Sequence, residues 1–259
     1  VGAGLLHDGL HDGRPLIGAE AVRAAAEVLR RYRAGKQNLD RRIIDNEQFW
    51  KLRHWEQMEK AGEGGNPEDV RPASGWLVNC ILSKHADAMD CYPEPTVLPR
   101  EPGDRQEAET LSRILPVLLK NDRFRRTYSK AWWDKLKSGC AVYGVFWDNE
   151  KLHGLGDVSI RSMDVLNLFW EPGVTDIQES EHFFCTELVP NNHLVRRWPE
   201  LEGKLGRGGA QVSRYLFDDK VDTSEQSLVV DWYYHTERGG RKILQYCKFV
   251  GETVLYATE

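Results

Sequence analysis

The sequence of 259 residues lacks the features that define several large classes of protein. No run of about 18 apolar residues occurs, so the sequence predicts no membrane-spanning helix. Its start carries no secretory signal pattern. Its five cysteines are scattered, odd in number and without a CxxC pair, which argues against a disulfide framework and against a structural zinc site. We therefore expect reduced, mostly buried thiols in a cytoplasmic compartment.

Motifs for the common catalytic chemistries are also missing. The sequence has no P-loop, no GxSxG turn and no HExxH pair. The glycine-rich stretch 203–209 lacks the preceding strand and following helix that a phosphate cradle needs. Cys140 opens an apolar strand and is expected to be an inert core thiol, while Asp218, Asp219 and Asp222 are expected to be solvated. We expect no catalytic residue, no cofactor and no metal site, with a hydrolase acting on nucleic acid or polysaccharide as an alternative.

Two further groups of residues have a functional and a structural interpretation. The His and Asp residues of the segment 7–13 could hold a metal ion, but glycines between them make a poor scaffold, and a frayed terminal arm is favoured. The pair Trp132 and Trp133 could stack on nucleic-acid bases, but packing in a core or an interface is favoured for aromatic residues on one helix.

The sequence has no overall positive charge. Its 35 Lys and Arg residues are outnumbered by 40 Asp and Glu residues, giving a net charge of -5, which argues against a general DNA-binding domain. Residues 21–53 are the local exception, and they form either a solvated helix face or a surface that faces phosphates or an acidic partner. The candidate partner-facing residues are Arg23, Arg30, Arg31, Arg33, Lys36, Arg41 and Arg42.

The order of periodic segments predicts an α+β fold, with helices first and a mainly antiparallel sheet after them. We expect a flexible arm over residues 1–17, a helical part over 18–138 and a β-rich part over 139–259. Gly35 is expected to end a first helix, with a second helix over 39–59, and Pro116 to kink or split a later helix. Ser74, Asp104 and Asn191 are expected to cap helices. Residues 201–226 are expected to form a surface excursion.

Several pieces of the sequence, in this order and at this spacing, resemble the portal proteins of tailed bacteriophages. A helix over 76–90 precedes the extended piece YPEPTVLPRE at 92–101, and a helix–Gly–strand step follows at 137–148. The segment 156–172 then contains a strand and the pattern D-x-x-N-x-F-x-E-P, and an aromatic–proline pair stands at 198–199. The resemblance covers about residues 38 to 259.

The resemblance implies a structural protein and not an enzyme. Portal proteins form a ring, usually of twelve copies, at one capsid vertex of the virion, and they assemble in the cytoplasm of the host bacterium. Double-stranded DNA passes through the ring without sequence specificity, and the partners are the major capsid protein, the large terminase subunit and a head–tail adaptor. The chain corresponds to the wing of such a portal, and we expect it to be a fragment from which the stem and clip are absent. The alternative within the virion is another head–tail connector protein.

Overall fold

The protein is described by a computed structural model that covers residues 17–60, 70–205 and 224–258. Helices come first and antiparallel strands follow, so the α+β prediction is confirmed. The helices are α1 (Ala19–Trp50), α2 (His54–Lys60), α3 (Trp76–Asp90), α4 (Arg105–Asn121), α5 (Phe124–Ser138) and α6 (Asn191–Arg197). The strands are β1 (Val142–Asp148), β2 (Asp157–Met163), β3 (Leu168–Trp170), β4 (His182–Pro190), β5 (Gln226–Arg238), β6 (Arg241–Val250) and β7 (Thr253–Ala257).

The chain folds into two compact units, and their boundary does not follow the change from helices to strands near residue 138. One unit, called here the helical unit, consists of residues 42–165. The other, called the sheet unit, combines residues 17–41 with the residues from 166 onward. The sheet unit includes the first part of α1 because this part packs on strands that come much later in the sequence, and the helical unit includes the strands β1 and β2.

The sheet unit is built on a five-stranded antiparallel sheet with the strand order β3-β4-β5-β6-β7. One face of this sheet is covered by the first part of α1, and the other by α6 and the turn after it. Neighbouring residues on a strand point to opposite faces, so Val230 packs towards α1 while Val229 packs towards Leu194 and Leu201. The core on the α1 side contains Val22, Ala25, Tyr32, Phe169, Phe184, Val230, Trp232, Cys247, Phe249 and Ala257.

The helical unit is organised around α5. This helix packs against α3, α4 and β2, and β2 pairs with β1 in a two-stranded antiparallel hairpin. Trp133 of α5 stacks on His85 of α3 with 4.0 Å between ring centroids, and it also lies 5.3 Å from the ring of Trp50. The pair Trp132 and Trp133 is therefore half-buried in packing within the unit, as the structural interpretation of this pair predicted.

The prediction that Gly35 interrupts the first helix is wrong, because α1 runs without a break from Ala19 to Trp50. A Cβ atom at Gly35 would lie only 2.5 Å from Cγ of Pro172, so glycine allows the turn after β3 to approach the helix closely. The helix ends instead near Leu52, which adopts a left-handed backbone conformation with φ of 61°.

Other local predictions have mixed outcomes. Pro116 does not split α4, which continues to Asn121. The capping residue of α3 is Gly75 and not Ser74, and Pro190 precedes α6 where Asn191 was expected to cap it. Asp104 does occupy the position before α4, although its side chain accepts a hydrogen bond from the backbone of Glu101 and not from α4.

The cysteines are less buried than the sequence suggested. All five are free thiols, but Cys80 and Cys91 are exposed, Cys140 and Cys185 are half-buried, and only Cys247 is fully buried. Most of the predicted arm at 1–17 and of the excursion at 201–226 lies outside the described residues, as do Asp218, Asp219 and Asp222.

Candidate functional site

Most of the predicted basic residues lie on the outward side of α1. Arg30, Arg31, Arg33, Arg41 and Arg42 are exposed. Arg23 is also exposed, and its guanidinium lies 3.2 Å from a carboxylate oxygen of Glu252. Guanidinium groups in this position can contact an anionic partner, and they also suit a solvated helix face, so both interpretations of this stretch stay open.

Lys36 was predicted to face a partner, and this prediction is wrong. Its side chain is only 6% exposed, and its Nζ lies 3.0 Å from Oδ1 of Asp40. The ammonium group also lies 4.8 Å from the ring centre of Phe169 and 5.6 Å from that of Trp170. A buried lysine needs such a carboxylate and such aromatic faces to offset the loss of water, so Lys36 is a structural residue of the sheet unit.

Spacing along α1 could have revealed the position of Lys36. Ala25, Leu29, Tyr32 and Lys36 follow one another at steps of three or four residues, which places them on one side of an α-helix. Ala25 and Tyr32 are in the core, and Leu29 packs against it. The charge of Lys36 suggested an outward position, but its place in the helical period decides its environment.

A polar cluster lies on the sheet between β5 and β6. Asp231 and Lys248 are opposite each other in the strand register and form an ion pair of 2.9 Å, and the hydroxyl of Tyr246 donates to Asp231 at 2.6 Å. Burial, followed by the charge of Asp231, holds the pKa of the Tyr246 phenol far above its usual range. Burial also raises the pKa of Cys185 to about 12. Both groups are therefore protonated near neutral pH, and the cluster joins two strands through hydrogen bonds.

Among the described carboxyl groups of the helical unit, Asp134 has a raised pKa. Burial raises the pKa of Asp134, and the hydroxyl of Ser162, which donates to the carboxylate at 3.1 Å, partly opposes this shift together with Lys130 and Lys137. Asp134 links α5 to β2 in this way. Perturbed carboxyl groups are frequent at catalytic sites, but structural networks shift pKa values as well.

The two units distribute their hydrophobic residues in opposite ways. Among the described residues, sixteen buried hydrophobic residues belong to the sheet unit and six to the helical unit. Large exposed hydrophobic residues show the opposite distribution, with three in the sheet unit and sixteen in the helical unit. Exposed apolar residues in such numbers are typical of a surface that another protein covers, because single chains rarely leave large apolar areas in water.

The exposed residues of the helical unit lie in regular rows. On α4, Leu111, Ile114 and Val117 follow at intervals of three residues and are 45–56% exposed. On β1, Tyr143, Val145 and Trp147 alternate with half-buried residues and are 40–66% exposed. Trp76 at the start of α3 and Leu155 in the hairpin loop are 77% and 82% exposed. These side chains are apolar, but the sequence alone could not show that no other described element covers them.

A groove of about 570 Å³ lies in the helical unit, beside the extended segment that follows α3. Its apolar surface comes from Tyr92, Phe124, Leu119 and three prolines, Pro93, Pro95 and Pro116. Lys120, Arg123 and Arg125 add positive charge to the lining, and Glu94 is its one carboxylate among the described residues. The sequence alone did not predict this groove, although the YPEPT segment at 92–96 and the basic residues near 123 form much of its lining.

The walls of the groove are held in place by local contacts. The hydroxyl of Ser112 in α4 accepts a hydrogen bond from the amide of Val97 at 2.9 Å and donates to its carbonyl at 3.2 Å, which ties the extended segment to the helix. The Tyr92 ring lies 5.2 Å from that of Tyr128, and the guanidinium of Arg125 lies 5.9 Å from the Tyr92 ring centre. The groove is thus preformed.

Neither a metal centre nor a membrane span is found in the part of the chain that the structure describes. Within residues 17–60, 70–205 and 224–258, no three His, Cys, Asp or Glu side chains come together as metal ligands would. No helix of this part has the length and apolar character needed to cross a bilayer. The sequence matches no known protein family in a comparison with family models, and a comparison with curated proteins found no significant relative.

Proposed function

We propose that this chain is the wing part of a portal protein, a subunit of the ring at one capsid vertex of a tailed bacteriophage. Genomic double-stranded DNA passes through such a ring during packaging and ejection. The ring contacts the major capsid protein, the large terminase subunit and a head–tail adaptor. The proposal starts from the ordered set of sequence pieces over residues 76–199 that resemble portal proteins.

The observation that carries the assembly part of the proposal is the exposed apolar surface of the helical unit. Sixteen large hydrophobic residues lie exposed there, against three in the sheet unit, among the residues described. A closed ring of identical subunits requires two different complementary surfaces on every copy. Apolar and aromatic side chains of this kind supply the binding energy of such contacts when water is removed from them.

The charge of the chain suits a channel protein that lets DNA slide. Each phosphate that a protein neutralises adds affinity, so a strongly basic wing would hold the DNA in place. The net charge of -5 avoids this effect, while the exposed arginines of α1 leave one basic surface for an acidic neighbour, a capsid protein or packaged DNA.

Electron microscopy of the full-length protein tests the proposal directly. We expect rings with a central channel wide enough for duplex DNA. Particles that remain monomeric at all protein and salt concentrations would contradict it. Compact closed particles without a channel would favour a different virion component or a hydrolase. Packaging assays with purified capsids then test the role in DNA transport.

A variant of α1 tests whether the basic surface takes part. Reversal of Arg30, Arg31 and Arg33 to Glu is expected to impair ring assembly or DNA packaging, because these side chains are exposed and are proposed to face an acidic partner. If rings form and package DNA as before, the basic stretch is only a solvated helix face.

A further inference from the structure

The turn between β3 and β4, here called the acidic turn, is unusual within the sheet unit. It spans residues 171–181 and contains four carboxylates, Glu171, Asp176, Glu179 and Glu181, without a Lys or Arg. Ile177 stands among them and is 45% exposed, which makes it one of the three large hydrophobic residues that this unit exposes among those described. An apolar side chain surrounded by negative charge is therefore presented to solvent.

Hydrogen bonds give the acidic turn a defined shape. The amide of Glu171 donates to the hydroxyl of Ser180 at 2.9 Å, and that hydroxyl donates to the carbonyl of His182 at 2.6 Å. The carboxylate of Asp176 accepts from the amide of Gln178 at 2.9 Å and so caps the short helical turn that carries Ile177. A turn held in this way loses little conformational entropy when it binds.

The groove of the helical unit has the opposite character. Its lining is largely apolar and aromatic, and it includes Lys120, Arg123 and Arg125 against the single carboxylate of Glu94 among the described residues. All three cationic residues are exposed. Arg123 lies between the end of α4 and the start of α5, where it adopts a left-handed backbone conformation with φ of 55°. The groove thus suits an apolar side chain that is flanked by carboxylates.

We propose that the groove of one copy binds the acidic turn of a second copy, with Ile177 against the apolar lining and Glu179 and Glu181 facing the cationic residues. This inference deepens the proposed ring and rests on it, because it assigns the two surfaces of the contact between subunits. The two surfaces differ, so the contact is heterologous, which is the type that generates rings. Opposite charges at its edge select the correct partner surface and speed up association.

Charge reversal at the two surfaces tests the pairing in the full chain. The groove variant carries Lys120→Glu and Arg125→Glu, and the turn variant carries Glu179→Lys and Glu181→Lys. Both variants place like charges on the two contacting surfaces, so we expect each to assemble at least about tenfold more weakly than the unmodified protein. Mass photometry over a concentration series measures the assembly, and circular dichroism checks that the variants are folded.

Two forms of rescue make the test specific. An equal mixture of the groove variant and the turn variant should assemble again, because the acidic groove of one now meets the basic turn of the other. A single chain with all four substitutions should also assemble, since it restores opposite charges with their positions exchanged. As a matched control, Glu200→Lys with Glu202→Lys reverses two exposed carboxylates elsewhere in the sheet unit and should leave assembly unchanged.

The outcomes separate this pairing from the ring itself. If the groove and turn variants assemble like the unmodified protein, or if neither rescue works, the pairing is wrong and the ring proposal stands. The pairing is also wrong if the control weakens assembly as much as the variants do, because the effect is then one of total charge. If the unmodified full-length protein never assembles, both proposals fail.

Discussion

Gly35 of α1 offers a sharp test of the packing in the sheet unit. A Cβ atom at this position would lie 2.5 Å from Cγ and 3.0 Å from Cβ of Pro172, which is closer than side-chain carbon atoms approach each other. The proline ring cannot rotate away, so the backbone of the turn must shift. In a helix without this contact, Gly→Ala stabilises the fold by about 1 kcal/mol. Overpacking costs about 1–3 kcal/mol. For Gly35→Ala we therefore expect a net loss of about 1 kcal/mol in the free energy of unfolding.

Urea denaturation followed by circular dichroism measures this effect, and a double-mutant cycle isolates its cause. In the background of Pro172→Gly both the ring and the Cβ atom are gone, so Gly35→Ala should change sign and stabilise the protein by about 1 kcal/mol. If Gly35→Ala already stabilises the protein when Pro172 is present, the close approach of the turn to α1 does not exist. If both backgrounds show the same loss, the cause lies elsewhere in the helix.

Three further predictions concern single side chains. Lys36→Ala should lower the free energy of unfolding by about 3 kcal/mol, measured by urea denaturation, because it removes one member of a buried ion pair. Asp134→Asn should stabilise the protein at pH values above the folded-state pKa of Asp134, because burial penalises the charged carboxylate there. This gain in stability should disappear as the pH falls from the folded-state pKa to the lower pKa that Asp134 has in the unfolded chain. In the native protein, iodoacetamide should label the exposed Cys80 and Cys91 well before Cys185, whose pKa is about 12, as mass spectrometry of peptides would show.

Each of these predictions has a control. Arg30→Ala removes an exposed charge on the same helix as Lys36 and should change the stability by less than about 0.5 kcal/mol. An equal loss in both variants would show that Lys36 is not buried as described. A stability difference between Asp134→Asn and the unmodified protein that is constant over pH would exclude the titration of Asp134 as its cause. Cys185 labelling at the rate of Cys80 would mean that the sheet opens readily.

The elements of the fold could be predicted well where the pattern is periodic. The order of helices before strands follows the predicted one, and all seven described strands fall within the β-rich part that was predicted over 139–259. Gly35 was misinterpreted because a glycine that ends a helix and a glycine that permits close contact look the same in sequence. Only the position of Pro172, which is distant in the chain, distinguishes the two cases.

The candidate surfaces were much harder to predict. The outward arginines of α1 follow from composition, but Lys36 shows that charge alone is a poor guide when the helical period points inward. The rows on α4 and β1 are apolar in the sequence, yet whether another element covers them depends on contacts distant in the chain. The groove at Tyr92 forms between the extended segment after α3 and the residues of α4 and the start of α5, so it depends on packing that the sequence pattern does not show.

The division of α1 between two units has a consequence for synthesis on the ribosome. Residues 17–41 cannot complete the sheet unit until the residues from 166 onward have been made. At about 5–20 residues per second, translation of residues 42–165 takes roughly 6 to 25 s. During this interval Val22, Ala25 and Tyr32 have no sheet to pack against, because none of the residues from 166 onward has yet been made. The nascent chain therefore has a defined period in which this stripe of α1 is open to chaperones or to premature contact with other chains.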